Sequence, residues 1–184
     1  MVRGRIMPEY EAVQASVTVD GKLDEQAWRD ALAFFAGSAT ANRVYAGLCY
    51  DAGNLYVGAR LLTTGHTGTY TVRLGLDPLG RSATKPSPGI YRITVTTGGA
   101  VSVEEGTGTR WSETETKGVT ANVVETPDGY TMEVALPLAS LGVEEADAEL
   151  RRGFNLEWAG NGFDETITSN TATMPYTWCS FFMK

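Results

Sequence analysis

Histidine is almost absent from this chain, with one residue at position 66, and cysteine is limited to Cys49 and Cys179. One imidazole and two thiols are too few for a zinc cluster. No serine or cysteine has a visible base partner, so a Ser–His–Asp arrangement finds no support. The two cysteines do not fix a redox compartment: they could pair, but in a chain of 184 residues they more often serve as small buried apolar side chains. Basic charge is in deficit, with 15 Lys and Arg against 22 Asp and Glu and a formal net charge of −7. That balance, with no basic stripe, argues against nucleic acid or an anionic membrane surface as the main partner. No long apolar run is present, so no segment is a candidate for a membrane-spanning helix. Met1 to Pro8 carries charge but no apolar core, so no signal peptide is visible. An intracellular protein, or a module cut from a longer secreted chain, fits that start equally well. No linker or repeat splits the sequence, and its length fits one domain, 1–184, whose core needs no disulfide staples.

What the chain does have is 42% apolar residues in short alternating runs, with abundant Gly and Thr, the pattern of an all-β protein. Its most informative stretch is Val17-Thr-Val-Asp-Gly-Lys-Leu-Asp-Glu-Gln-Ala-Trp28. Val17 and Val19 alternate as in a half-buried strand, and Asp20-Gly21 supplies turn chemistry. Asp24 stands at the N-cap position of a short helix, and Leu23 and Trp28 have hydrophobic-staple spacing. Trp28, Ala31 and Leu32 continue one apolar face, which predicts a helix lying across a sandwich edge with Trp28 as a core plug.

Val44 to Leu61 reads as a hairpin turning at Asp51 to Asn54. Further strands are predicted over Thr69 to Asp77, Tyr91 to Thr96, Val101 to Val103, Val119 to Val123, Tyr130 to Leu136 and Phe154 to Trp158. Val72, Leu74 and Leu76 point inward, as do Ile93, Val95, Phe154, Leu156 and Trp158. Pro78 to Gly89, Glu104 to Gly118 and Phe163 to Thr173 read as loops, and Tyr176 to Phe182 as a closing strand with Trp178 half-buried. The predicted fold is a two-sheet antiparallel β-sandwich, immunoglobulin- or jelly-roll-like, with one short helix.

The outward residues of these strands include Arg73, Arg92, Thr131, Glu133, Asn155 and Glu157. If the strands share a sheet, one face carries two guanidinium forks, two carboxylates and an amide. Such groups can bracket the vicinal hydroxyls of a sugar. The same set would also arise as a solvated face with cross-strand Arg–Glu pairs. Trp111 lies in a polar stretch, where it would either stack on a pyranose ring or fold back over the sandwich edge. Glu133 and Glu157 could be read as the two carboxylates of a glycosidase, but Arg73 and Arg92 beside them would keep both ionised, which suits binding better than acid catalysis.

The ordered motifs DGKLDEQAW, YDAGNLYVGARL, GYTMEVALPLASLG and GFNLEW, over about residues 15 to 160, resemble the family 9 carbohydrate-binding modules and their wider relatives. The resemblance implies a non-catalytic module that binds a glycan end on a concave sheet face and accompanies an extracellular polysaccharide-degrading catalytic domain. It implies a ligand role for Arg92, while Arg73 stands where relatives place a carboxylate. It also implies a clamp of two tryptophans, which this chain lacks at the matching places: His66, Thr67 and Gly68 precede one strand, and no aromatic residue stands near Ala172. Structural calcium is a further implication, with Asp20, Asp24 and Asp51 as candidates that also have work as turns and caps. Two other readings remain open: a haem-binding sandwich using Met132, Met174 or His66, and a structural or interaction module with no small-molecule ligand.

Overall fold

The computed structural model describes residues 9–37, 42–63, 68–144, 147–160, 163–166 and 174–184. Among them the chain is mostly strand. In order these are β1 (Glu9–Gln14), β2 (Leu32–Gly37), β3 (Arg43–Tyr50), β4 (Asn54–Leu62), β5 (Thr71–Asp77), β6 (Tyr91–Thr96) and β7 (Val101–Gly106). There follow β8 (Trp111–Thr114), β9 (Thr120–Thr126), β10 (Gly129–Pro137), β11 (Arg152–Gly160), β12 (Phe163–Thr166) and β13 (Cys179–Met183). A helix, α1 (Gln26–Ala31), lies between β1 and β2, and 3₁₀ turns cover Ala139–Leu141 and Pro175–Thr177.

Backbone pairing follows one path, β8-β7-β6-β5-β11-β13-β1-β3-β4-β10-β9, with β12 beside β11 and β2 beside β3. β1 is its joint: Glu9 to Ala12 pair with β13, then Val13 and Gln14 pair with β3. Both pairings of β1 are parallel, whereas the sequence predicts antiparallel neighbours throughout. All the other strand pairs described are antiparallel.

The path curls until its two limbs face each other. Phe34 of β2 lies 5.0 Å from Phe154 of β11, and Tyr70 lies 5.8 Å from Tyr130 of β10. Alternate side chains of both limbs, among them Leu48, Val57, Leu74, Ile93, Met132 and Trp158, fill one core. The inward phase read from the sequence for β5, β6 and β11 matches this core.

A second, smaller core lies on the far side of β3, β4 and β10. There Trp28 packs with Ala31, Cys49, Tyr56 and Ala135. Glycine allows the close approach: a Cβ on Gly58 would stand 2.7 Å from the Trp28 ring, and one on Gly47 2.3 Å from the Ala31 carbonyl oxygen. α1 therefore covers a sheet face rather than an edge. Its N-cap is Glu25, not Asp24, and the cap makes no side-chain hydrogen bond. Instead Glu25 Oε1 accepts the Thr18 N–H at 3.0 Å. Leu23 and Trp28 both reach over Gly58, in line with their staple spacing. Val17 and Val19 pack against this small core but are not strand. Cys49 and Cys179 are both free, buried thiols, one in each core.

The Asp51 hairpin forms where the alternation places it. Its carboxylate accepts from Gly53 N–H, Asn54 N–H, the Tyr56 hydroxyl and the Ser16 hydroxyl at 2.7–2.8 Å. Burial is the largest single influence and raises its pKa, but the four hydrogen bonds together bring it down to about 2. A lowered folded pKa means stability that is present above the ordinary value of 3.8 and lost as pH falls toward about 2. Asp51→Asn is expected to lose about 2 kcal/mol at neutral pH, with the gap to the parent closing in that acid window. Urea unfolding of both proteins at pH 7 and in the acid window checks this.

Two strands occupy segments whose composition predicts loop. β8 is four polar-flanked residues after Glu104, and β12 opens the stretch from Phe163. Neither is long enough to show a period. The remainder of that stretch, residues 167–173, lies outside the described residues, as does His66.

Candidate functional site

β11, β5, β6, β7 and β8 lie side by side, and the sides turned from the core make one polar face. Register sets Asn155, Gly75, Arg92, Glu104 and Glu113 in one cross-strand row. Glu157, Arg73, Thr94 and Ser102 form the next. Arg92 grips Glu104 as a fork: Nε donates to Oε2 at 2.6 Å and Nη2 to Oε1 at 2.8 Å. Arg73 and Glu157 are looser, 3.9 Å apart. The fork is about one-quarter exposed and Arg73 is 41% exposed, so both guanidinium groups reach solvent.

A pair of tryptophans stands over one end of this face. Gly75 and Gly153 leave a trough in which the Trp178 indole rests; a Cβ on Gly75 would lie 2.7 Å from the ring and one on Gly153 3.6 Å from it. Trp111 runs parallel to Trp178, with centroids 6.5 Å apart and planes inclined by 3°. The Arg92 guanidinium lies 5.2 Å from the centre of the Trp111 ring, within cation–π range.

The loop after β5 brings the pair together. It starts from Asp77, whose carboxylate accepts the Arg81 and Ser82 N–H groups at 3.0 and 2.7 Å. Farther on, the Pro86 carbonyl accepts from Gly108 N–H and the Ala83 carbonyl from Tyr176 N–H. One loop thus ties the β7–β8 turn to the 3₁₀ turn before β13, carrying Trp111 and Trp178 to the same place.

Both indole Nε1–H groups of this pair are buried and find no acceptor among the described residues. A buried unpaired donor costs about 1–3 kcal/mol, so a ligand oxygen placed there would relieve a penalty already present. A sugar ring held between two aromatic planes needs carbon contacts of about 3.5–4 Å on each side. The centroid distance of 6.5 Å is the upper bound on the gap between the two planes, below the roughly 7–8 Å that such a sandwich needs.

Gly75→Ala tests how rigidly the trough holds Trp178. The added methyl meets a stiff indole, not a flexible chain end, so the substitution is expected to cost about 1–3 kcal/mol. Near-ultraviolet circular dichroism should show the altered tryptophan environment.

No family model matches the chain, and no curated protein matches it. Among solved structures, two of a family 9 carbohydrate-binding module from Caldicellulosiruptor kristjanssonii superimpose over nearly its whole length. The complex with cellotriose matches with a TM-score of 0.75 at 16% identity, over 96% of this chain and 94% of the module. The complex with glucose gives 0.74 at 15% identity, over 96% of both chains. This chain has the fold of that module.

On the module fold, Arg73, Arg92, Trp111, Asn155 and Glu157 come to one face, although Asn155 is only 1% exposed there. Glu133 does not join them. It stands on β10 in the other limb, fully buried beneath α1, with Thr131 and Ala135 on the same side of that strand. Glu133 Oε1 accepts from Trp28 Nε1–H at 2.8 Å, and Oε2 from the Asp20 and Gly21 N–H groups at 2.8 and 2.7 Å. The Glu133–Glu157 carboxylate pair considered from sequence is therefore not assembled.

Sequence reasoning missed Glu104 and the depth at which Trp178 is buried. Glu104 shares the phase of Ser102 and was readable as outward had β7 been carried past Val103. Trp178 stands just before β13 and is 3% exposed, more deeply buried than its position suggests. Nothing in the sequence reveals that Gly75 and Gly153 make its seat.

Two of the three calcium candidates are already engaged by other groups. Asp20 binds the Lys22 N–H and ammonium, and Asp51 is saturated by its hairpin. No group of three His, Cys, Asp or Glu among the described residues is arranged to hold an ion. For haem, Met132 is sealed in the main core, and Met174 lies at the surface beside the Tyr176 hydroxyl.

Proposed function

We propose that this protein is a non-catalytic carbohydrate-binding module whose ligand is a neutral glycan or glycan end. In this reading the curled sheet works as a two-layered sandwich forming a single domain, with the ligand on the outer face of β11, β5, β6, β7 and β8. The observation that carries it is the parallel Trp111–Trp178 pair beside the Arg92–Glu104 fork. Aromatic faces stack on the C–H faces of a pyranose, and a fork with a carboxylate pairs with its vicinal hydroxyls. Two guanidinium groups against Glu104, Glu113 and Glu157 leave the face close to neutral, which favours an uncharged ligand over a uronic acid. The fold likeness to modules held with cellotriose and glucose supports the same class.

Trp111 and Arg92 contact sugar directly, Glu104 orients Arg92, and Arg73 with Glu157 extends the polar row. Such a module works outside the cell, next to a polysaccharide-degrading catalytic domain. Titration with glucose and cellotriose, followed by tryptophan fluorescence, tests the reading: a saturable change is expected with at least one of them. A folded protein with no response to either sugar would count against it.

A further inference from the structure

The opposite outer surface carries a second set of groups with sugar-binding chemistry. Pairing of β2, β3, β4 and β10 places Phe35, Tyr45, Arg60 and Thr131 in one cross-strand row. It spans about 14 Å, three inter-strand spacings. Trp28 and Leu23 cover the neighbouring row at Gly58, which includes Gly47 and Glu133; in this row Phe35 and Arg60 are exposed, Tyr45 is half-buried and Thr131 is buried. Phe35 is 48% exposed and leans on Tyr45, with centroids 5.3 Å apart and planes at 46°.

The row runs into a cavity of about 330 Å³ whose eight lining residues include Arg60, Thr131, Asp128 and Lys22. That volume lies within the range of small-ligand sites. Arg60 Nη2 donates to Asp128 Oδ2 at 2.9 Å, and Thr126 Oγ1 to Asp128 Oδ1 at 3.0 Å. Both members of the ion pair are about half exposed. An aromatic strip leading to a solvent-facing guanidinium–carboxylate pair repeats the chemistry of the tryptophan face with different residues.

We propose that this row is a second glycan-contact surface, which takes a stretch of neutral polysaccharide chain. The proposal rests on the glycan-binding reading above. A protein partner fits less well, because Lys and Asp, present here as Lys22 and Asp128, are depleted at protein interfaces. Here Phe35 is the one large exposed hydrophobic on this side among the described residues, and three of the eight residues lining the cavity are charged.

Affinity electrophoresis through gels holding hydroxyethyl cellulose, paired with cellotriose titration, tests it on the parent, Phe35→Ala and Tyr45→Ala. Phe35 is surface-exposed, so its replacement should leave the fold intact. The expected result is retardation by the polymer that is about threefold to tenfold weaker in the variants, with unchanged affinity for cellotriose. Equal retardation of parent and variants overturns the second surface and leaves the tryptophan face standing. So does a parent that binds cellotriose but is not retarded. A parent that binds neither ligand overturns both readings.

Discussion

Glu133→Ala is expected to cost about 3–5 kcal/mol, a large part of the 5–15 kcal/mol by which a domain is normally stable. The carboxylate is fully buried and accepts three hydrogen bonds, one from the Trp28 indole and two from the Asp20–Gly21 turn. Truncation leaves the Gly21 N–H and the Trp28 indole N–H buried with no acceptor and a void beneath α1, while the Asp20 N–H keeps the Thr18 carbonyl. Each such donor costs about 1–3 kcal/mol, less what water entering the void restores. Glu133→Gln is the sharper control. Its amide oxygen can serve the turn or the indole but not both, and the NH2 group then faces a donor.

The pH dependence separates the two variants. Burial raises the Glu133 pKa above its ordinary 4.5, against its three hydrogen bonds, and the nearby Glu25 carboxylate adds to the rise. For a carboxyl group raised in the folded state, stability is greatest below the ordinary value and declines as pH climbs through the folded one. The thiol facing this cluster, Cys49, is itself pushed up to about 12, first by burial and then by Glu25 and Glu133, so it adds no charge at neutral pH. The parent should therefore gain stability on mild acidification relative to Glu133→Gln. Urea denaturation between pH 7 and pH 4.5 measures that difference; a constant gap would mean that Glu133 does not titrate in this window.

Trp111→Ala is expected to weaken sugar binding by about 30-fold or more, the loss of at least about 2 kcal/mol typical of a buried aromatic anchor. Trp111 meets both other parts of the proposed site, Trp178 at 6.5 Å and the Arg92 guanidinium at 5.2 Å. Its removal takes away a stacking surface and one buried indole donor together. Trp111→Phe keeps an aromatic face without the N–H, so the interval between parent and Trp111→Phe reads the hydrogen bond and that between the two variants reads the stacking. Trp111 is on a four-residue edge strand, which limits the damage to the fold; the thermal midpoint should fall by only a few degrees. Calorimetric titration of cellotriose into the three proteins reads the affinities.

Much of the architecture was legible because strand alternation is a local property. The phases of Val72, Leu74 and Leu76, and of Phe154, Leu156 and Trp158, name the core side of their strands correctly. Alternation also set Arg73, Arg92, Asn155 and Glu157 on one face. Glu133 shows where that logic stops. It does point away from the main core, as its phase predicts, but a second layer, α1, covers that side of β10. Phase reports which side of a strand a residue takes; it says nothing about which limb the strand joins or what lies on top. The depth of Trp178 was hidden for a related reason, since its seat is made by Gly75 and Gly153 from strands distant in sequence. The parallel joint at β1 was hidden too, because no turn signal links Glu9 to the closing strand that it meets.

Whether the Arg92 face holds sugar decides the function. The most direct measurement is calorimetric titration of cellotriose into the parent and Arg92→Ala, with Arg92→Lys as a partner. Saturable heat in the parent, abolished in Arg92→Ala and not restored by lysine, is predicted, because an ammonium cannot reproduce the two-pronged grip on Glu104. Binding that is unchanged in a folded Arg92→Ala protein would contradict the account.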